Sequence, residues 1–321
     1  MIQNIIILII GFVLLVKGAD FVVKGAVGLS VRLNLSEMLI GIVLVGIGTS
    51  LPELVVTVDS SLKGQPDIIL GNALGSSICN ILLVIGIAGV IRPMKIDKRL
   101  CKVHLPMALL TIIVLFVVCN LGSGEVLLID RLEGIILLIV AVLYTVFTVF
   151  EGKNENEDNK KILSENEENN KKMSFLRIFI YIIGGILGLK YGADFVIDEV
   201  SNIANYFSIS HAVVSMTVIA IGTALPEIAT SIIASIRRDA DLVMGNVIGS
   251  NIYNICLLQG VGAIINPISY NTSYNTAIIF LALSTILVFI LTNVGNKRVL
   301  SRPKSFILLL LYSVYLINLF A

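Results

Sequence analysis

Two glutamates inside long apolar stretches carry the chemistry that this sequence suggests. Glu53 ends the hexapeptide GTSLPE at 48–53, and Glu227 ends the matching GTALPE at 222–227. An ionisable side chain deep in an apolar segment marks a functional site by default. Each hexapeptide proline lacks an amide hydrogen, so we expect the helix to bend there and to free the carbonyl group four residues back. A carboxylate beside freed carbonyls is an oxygen-rich place for a hard cation.

Hydroxyl and amide side chains recur at helical spacing around both glutamates. Thr49 and Ser50 lie four and three residues before Glu53, and Ser76 lies four residues before Asn80. Residues three or four apart share one face of a helix. The second half offers a similar set, which is Thr223, Glu227, Ser250 and Asn254. Together these side chains predict a cage of oxygen ligands, which Ca²⁺ and Na⁺ prefer, whereas transition metals favour His or Cys.

The paired carboxylates also predict competition between ions. Burying two like charges is costly, so one Ca²⁺, two Na⁺ or two protons are needed to neutralise them. Occupancy by one kind of ion then excludes the other, which is the physical basis of antiport. Exchange of H⁺ for Ca²⁺ is the alternative, and a cation channel is less favoured because no selectivity-filter loop is found. No nucleophile–base pair points to an enzyme.

An internal repeat relates the two sets of residues. A constant shift of 174 residues (192 minus 18) takes GADFV at 18–22 onto 192–196, and the same shift relates the two hexapeptides without a gap. Each half is predicted to hold five helices, an odd number, so the second half enters the membrane inverted, as in many secondary transporters. A duplicated packing unit would explain the repeated glycines, but it would not explain two buried glutamates.

The composition is that of a membrane protein. Of the 321 residues, 56% are hydrophobic and 14% are charged, whereas soluble domains carry roughly 25% charged residues. The net charge of +1 predicts no nucleic-acid partner. The four cysteines show no C-x-x-C spacing and are interpreted as reduced thiols in apolar surroundings; they are Cys79, Cys101, Cys119 and Cys256.

The predicted fold is an all-α membrane protein with ten transmembrane helices in two inverted-topology repeats. About 20 apolar residues span a bilayer, and this template gives helices at 4–26, 37–61, 68–91, 104–120, 127–150, 174–198, 211–236, 242–265, 274–293 and 304–320. The first repeat is 1–150, a charged linker follows at 151–173, and the second repeat is 174–321. Lys and Arg are concentrated in alternate loops and in the linker, which places the linker in the cytoplasm and both termini outside the cell membrane.

The hexapeptides, each followed by a G-N-x-x-G-S-x-x-x-N stretch at 71–80 and 245–254, resemble the two α-repeats of the cation/Ca²⁺ exchanger superfamily. The resemblance covers essentially the whole chain, and the prokaryotic Na⁺/Ca²⁺ exchangers look like the most similar branch. It implies exchange of Na⁺ for Ca²⁺ across the membrane by alternating access at overlapping sites. No cofactor is expected besides the transported Ca²⁺ and Na⁺, and the expected surroundings are a lipid bilayer around a monomer.

The resemblance also implies roles for individual residues. Glu53 and Glu227 would be shared by Ca²⁺ and Na⁺, and the remaining ligands would be hydroxyl, amide and main-chain oxygens. These are Thr49 and Thr223 for both ions, Ser76 and Ser250 for flanking Na⁺, Asn80 and Asn254 for the central position, and the carbonyls of Gly46 and Ala220 for Na⁺.

Two departures from the family pattern leave the number of Na⁺ sites open. Ala224 stands where the other half has Ser50, so one hydroxyl ligand is missing, and Asn254 replaces an Asp that some relatives carry. The helices with Asp20 and Asp194 resemble the pair that slides to switch access. For these two aspartates, an ion pair with a nearby lysine or a helix-end role is favoured over ion binding.

Overall fold

The computed structural model describes residues 2–33, 35–120, 127–154, 173–206, 220–294 and 298–320. Helices dominate the first half, and π-helical turns interrupt several of them. In chain order the elements are α1 (Ile2–Leu33), α2 (Glu37–Ile40), π1 (Gly41–Val45), α3 (Gly46–Thr49), α4 (Leu51–Leu62), α5 (Pro66–Cys79), π2 (Asn80–Val84), α6 (Ile85–Ile91), β1 (Met94–Lys95), π3 (Leu100–His104), α7 (Leu105–Asn120), β2 (Leu128–Ile129) and α8 (Arg131–Asn154).

The second half follows the same pattern of long helices and broken ones. Its elements are α9 (Phe175–Tyr206), α10 (Ala220–Thr223), α11 (Leu225–Ile236), α12 (Ala240–Ile252), π4 (Tyr253–Leu258), α13 (Gln259–Ile265), β3 (Ile268–Ser269), α14 (Tyr274–Asn293), β4 (Val299–Leu300) and α15 (Arg302–Phe320). Residues 155–172 of the predicted charged linker and residues 211–219 of the seventh predicted helix lie outside the described residues. The start of the linker belongs to α8, which continues past position 150 to Asn154.

Within the described ranges, seven helices are long and apolar enough to cross a membrane. An eighth is counted when Glu37–Thr49 and Leu51–Leu62 are taken as one span with a bend of 43°. The chain is therefore an all-helical membrane protein, and the part that the structure describes contains seven to eight such helices. The predicted count of ten spans is larger by two. Leu225–Ile236 is a shorter apolar helix by this measure, and Arg302–Phe320, at the predicted position of the tenth span, is not among the helices that meet it.

Two continuous segments form the centre of the structure. Of the most apolar window in Pro66–Ile91, 72% of the residues are buried, and the value for Ala240–Ile265 is 78%. The corresponding values for Gln3–Leu33 and Phe175–Glu199 are only 28% and 33%, so these two helices lie at the periphery. The polar residues of α5 and α12 thus sit in the best-shielded part of the protein.

Short strands join the loops of the two halves. β1 pairs with β4 in antiparallel fashion, with Met94 opposite Leu300. β2 pairs with β3 in the same way, with Leu128 opposite Ser269. Each ladder satisfies main-chain groups that would otherwise be exposed at the ends of apolar helices.

Glycines let α12 approach α2 and π1 at main-chain distance. A Cβ atom on Gly245 would lie 2.6 Å from the Met38 carbonyl oxygen. A Cβ on Gly249 would lie 2.8 Å from Ile42 Cα and closer still to the Ile42 carbonyl oxygen. Small residues at such crossings are the usual means of close helix packing in membranes. This contact brings the polar residues of α12 against the α3–α4 break.

The close approach at Gly249 predicts that one added methyl group lowers the stability of the protein there but not at an open position. Gly249→Ala should lower the melting temperature in detergent, because the new Cβ meets main-chain atoms that cannot rotate away, and such overpacking costs about 1–3 kcal/mol. Gly184→Ala, on α9, is the control, since no described atom lies within 4 Å of a Cβ built there. Equal melting temperatures for the two variants, measured by circular dichroism, would contradict the close approach.

Candidate functional site

The two glutamates lie at breaks between helices. Ser50 (φ −82°, ψ 6°) ends α3, and α4 then starts with Pro52 and Glu53 in its first turn. Ala224 (φ −83°, ψ 0°) separates α10 from α11 in the same way, with Glu227 in the first turn. The predicted bends at the hexapeptide prolines are therefore confirmed. The first turn of a helix has free amides and partial positive charge, which favours a carboxylate there.

Both carboxylates are completely shielded, with 0% of each residue exposed. Ser50 Oγ donates to Glu227 Oε1 at 3.4 Å, and Ser250 Oγ donates to the same oxygen at 3.4 Å. Glu53 lies within electrostatic range of Glu227. The acid of the second half is thus in direct contact with the hexapeptide of the first, which places the two carboxylates in one cluster.

Three of the four carboxylate oxygens lack a hydrogen-bond partner in the part of the chain that the structure describes. They are Glu53 Oε1, Glu53 Oε2 and Glu227 Oε2. Buried polar atoms are nearly always hydrogen-bonded, and an unpaired buried charge is more costly still. These oxygens therefore need another partner. A metal cation or a proton would neutralise the carboxylate charge.

Hydroxyl groups from the two halves meet in two equivalent pairs. Thr49 Oγ1 lies 3.3 Å from Ser250 Oγ, and Thr223 Oγ1 lies 3.4 Å from Ser76 Oγ. The shift of 174 residues that relates the hexapeptides also relates these pairs, because it takes Thr49 to Thr223 and Ser76 to Ser250. The Gly46 carbonyl oxygen, 3.2 Å from Ser250 Oγ, is an alternative acceptor for the same hydroxyl hydrogen.

Two asparagines complete the cluster. Asn80 and Asn254 are fully buried, and neither the amide oxygen nor the amide nitrogen of either side chain has a hydrogen-bond partner among the described residues. Asn80 starts π2, and Asn254 is the second residue of π4. Single π-helical turns are frequent at functional sites. Here they occur where each central helix passes the glutamates.

The structure thus links Thr49, Ser50, Gly46, Ser250 and Glu227 by direct contacts, and Ser76 to Thr223, while Asn80 and Asn254 are buried in the central helices. Two further points concern the remaining predicted residues. For Ala220 the structure describes only the backbone, as the first residue of α10. Asp20 and Asp194 are ion-paired one helical turn away, with Lys24 at 2.7 Å and Lys190 at 3.5 Å. The preference for lysine pairing at these aspartates is confirmed.

Sequence reasoning missed Asn246 as a member of the cluster. Its side-chain oxygen is the partner of Thr49 Oγ1 at 3.1 Å, and its amide donates to Ser231 Oγ at 3.3 Å. Its equivalent, Asn72, donates to the main-chain oxygen of Glu53 at 3.4 Å. The Gly-Asn pair in both halves was the available signal, but a repeated asparagine alone does not show which group it contacts.

The ligand chemistry of the cluster is that of oxygen. Carboxylates, hydroxyls, amide oxygens and a main-chain carbonyl are suited to hard cations. Cys79, next to Asn80 in the chain, is buried and contacts Tyr312. All four cysteines are free and buried, in agreement with their interpretation as reduced thiols.

These features define an all-helical membrane protein with an oxygen-lined polar centre built from both halves of the chain. The family model for "Sodium/calcium exchanger protein" matches residues 3–150 and 177–321, and the chain belongs to this family. The family is one of exchangers, which are transporters rather than enzymes.

Individual relatives agree with this assignment. The chain is 34% identical over 279 residues to the inner membrane protein YrbG of Escherichia coli, covering 85% of this chain and 84% of the relative. It is 29% identical over 355 aligned positions to the sodium/calcium exchanger MaX1 of Methanosarcina acetivorans, covering 99% and 98%. A solved structure of the sodium-calcium exchanger NCX_Mj, soaked with Na⁺ and Ca²⁺, matches with a TM-score of 0.83, 30% identity and 99% coverage of both chains.

The unpaired carboxylate oxygens predict a stabilising effect of Ca²⁺ that depends on both acids. A ligand that binds only the folded protein stabilises it by about 2.7 kcal/mol at one hundred times its dissociation constant. Ca²⁺ should therefore raise the melting temperature of the wild type, and Glu53→Gln or Glu227→Gln should remove most of that shift. Asp198→Asn, at an exposed position on α9, is the control. A full Ca²⁺ shift in either buried variant would contradict the site.

Proposed function

We propose that the protein is a secondary active antiporter that exchanges Na⁺ for Ca²⁺ across the cell membrane. One observation carries the proposal above all others. Two fully buried glutamates, one from each half, lie in one cluster, and three of their four oxygens have no hydrogen-bond partner among the described residues. Membership of the sodium/calcium exchanger protein family supports the same function.

The charge of the site favours exchange. Two carboxylates in a medium of low dielectric constant cannot both stay charged without cations. One Ca²⁺ or two Na⁺ would balance them, and the two kinds of ion would compete for the same oxygens. In this proposal Glu53 and Glu227 bind both ions. Thr49, Thr223, Ser76, Ser250, Asn80 and Asn254 supply neutral oxygens, with the carbonyls of Gly46 and Ala220.

The proposed topology consists of ten membrane spans in two inverted repeats, 1–150 and 174–321, which the linker at 151–173 connects. Equivalent helix breaks at Ser50 and Ala224 support it, as do the π-helical turns that start at Asn80 and Tyr253. The distribution of Lys and Arg favours a cytoplasmic linker and external termini. Ions would then reach the central site alternately from the two sides.

The two hexapeptides differ in one hydroxyl, and this difference affects the glutamates. Ser50 Oγ donates to Glu227, whereas its equivalent Ala224 has no hydroxyl to offer Glu53. Glu53 accordingly has two unpaired oxygens and Glu227 has one. We infer that Glu53 depends more on bound cations than Glu227 does.

The direct test is Ca²⁺ flux in proteoliposomes with one counter-ion at a time. An outward Na⁺ gradient should drive ⁴⁵Ca²⁺ uptake, while K⁺ or a pH gradient alone should not. Uptake driven by the pH gradient and independent of Na⁺ would support H⁺/Ca²⁺ exchange instead. Ca²⁺ entry without any counter-ion gradient, with unitary current steps in a planar bilayer, would indicate a channel.

Restoring the missing hydroxyl gives a finer prediction. Ala224→Ser should change the Na⁺ dependence of uptake more than the apparent affinity for Ca²⁺, because the new hydroxyl would lie at the start of the α11 break and add an oxygen ligand. The matched control is Ala234→Ser, which is also buried but lies near the far end of α11. An unchanged Na⁺ titration in a folded Ala224→Ser protein would count against a ligand role at this position.

A further inference from the structure

Two turns outside the ion site are built alike. One follows α4 at Lys63 and the other follows α11 at Arg237, and the shift of 174 residues relates them. Both contain a residue with positive φ, Gly64 at 66° and Arg238 at 71°. The two turns share three main-chain hydrogen bonds, from Lys63 to Asp59, Gly64 to Ser61 and Gln65 to Ser60 in one, and from Arg237 to Ile233, Arg238 to Ser235 and Asp239 to Ala234 in the other. Lys63 and Arg237 are therefore structurally equivalent cations.

These equivalent cations have different partners. Arg237 forms an ion pair with Asp20 of α1, so it connects α11 to the peripheral helix. Lys63 instead pairs with Asp59 of its own helix at 2.6 Å. The repeat equivalent of Asp20 is Asp194 on α9, and Asp194 is paired with Lys190. The contact that links a turn to a peripheral helix is thus seen at Asp20 but not at Asp194, within the described residues.

Exposure follows the same asymmetry. The side chains of Asp20 and Arg237 are 23% and 36% exposed. Those of Asp194 and Lys63 are 46% and 58% exposed. Asp194 and Lys63 are therefore more accessible to a new partner than Asp20 and Arg237, although each already has an ion pair within its own helix.

The peripheral helices pack on each other as an antiparallel pair. A Cβ on Gly18 of α1 would lie 2.8 Å from the Gly185 carbonyl oxygen of α9, and a Cβ on Gly192 would lie 2.9 Å from the Gly11 carbonyl oxygen. Residue numbers that increase along α1 therefore face residue numbers that decrease along α9, so the two helices run antiparallel. Asp20 and Asp194 lie on opposite sides of this crossing, so a shift of the helix pair that draws Asp194 towards one turn draws Asp20 away from the other.

We propose that Asp20–Arg237 and Asp194–Lys63 are alternating ion-pair latches, the first closed in this structure and the second closed in the opposite access state. The proposal rests on the proposed exchange function, because inverted repeats interchange their conformations when access switches. In the opposite state Lys63 leaves Asp59 and binds Asp194, while Arg237 releases Asp20. These four are positioning residues, since none of them is among the ion-site oxygens.

The strength of each latch suits a transporter. Exposed ion pairs are weak, and losing one should change the ratio of the two states only about 1.5- to 5-fold. Two such latches that replace each other leave the two states close in free energy. A stronger pair on one side alone would trap the protein there.

Cross-linking of introduced cysteines with a short bifunctional methanethiosulfonate reagent, whose spacer replaces the length of the basic side chain, tests the latches without relying on transport. One variant carries Asp20→Cys and Arg237→Cys, and the other carries Lys63→Cys and Asp194→Cys. A protease site inserted within 155–172 allows the two halves to be cut apart. After cleavage the halves migrate separately on a denaturing gel unless a cross-link joins them, in which case a band of full-length mass remains. Single-cysteine variants control for reaction with the native cysteines, which are buried.

Both double variants should cross-link in membranes, although only the first pair is in contact in this structure. Lys63→Gln should raise the yield of the Asp20–Arg237 cross-link about 1.5- to 5-fold, and Arg237→Gln should raise that of the Lys63–Asp194 cross-link by a similar factor. Lys17→Gln, an exposed cation on α1, should change neither yield. Each cross-link should stop ⁴⁵Ca²⁺ exchange, and reduction should restore it.

The outcomes separate this proposal from the exchange function. If the wild type exchanges Na⁺ for Ca²⁺ but the Lys63–Asp194 pair never cross-links above the single-cysteine level, the Asp20–Arg237 pair is a fixed structural tie and the latch proposal is wrong. If the wild type does not exchange these ions, the proposed function fails whichever pairs cross-link.

Discussion

The structure depends on two carboxylates sealed away from water with no basic side chain among their contacts in the described residues. In an apolar medium such a pair is unstable by itself, and neither hydroxyls nor helix dipoles fully compensate for it. Glu53 and Glu227 each gain the first turn of a helix, and Glu227 gains two hydroxyl donors. The remaining oxygens stay unpaired, and in the proposed function mobile cations complete the site.

The fold places the carboxylates in this buried cluster by packing the broken helices against the continuous ones. Gly245 and Gly249 allow α12 to touch the backbone of α2 and π1, and Ser250 therefore reaches both Gly46 and Glu227. The breaks at Ser50 and Ala224 place each acid at a helix start. The peripheral pair α1 and α9 contributes none of the polar groups described at this centre, although Ile186 and Ile197 of α9 pack against Gly48 and Gly222 of the hexapeptides.

Much of the site follows from the sequence, because the repeat and the helical spacing constrain it strongly. A hexapeptide with Pro and Glu in an apolar segment predicts both the bend and the buried charge, and the structure has both. The four-residue spacing of Ser76 and Asn80 predicts a shared helix face. Long apolar helices at most predicted positions follow from composition alone.

Other features depend on tertiary contacts that spacing does not encode. The π-helical turns at Asn80 and Tyr253 insert a residue without a sequence signal, and the two-residue strands arise only where loops of different halves meet. The role of Asn246 beside Thr49 requires the crossing of α12 and π1. The different ion-pair partners of Lys63 and Arg237 belong to the one conformation seen here. The repeated sequence does not encode this difference, because the two positions are equivalent in it.

Equilibrium binding of ⁴⁵Ca²⁺ to the purified protein, with Na⁺ increasing at constant ionic strength, tests the shared cage most directly. If both ions neutralise the same two acids, bound Ca²⁺ should fall to zero as Na⁺ rises, and the fall should be steeper than one Na⁺ per site allows. Ca²⁺ that stays bound while Na⁺ also saturates would show that the ions occupy separate sites.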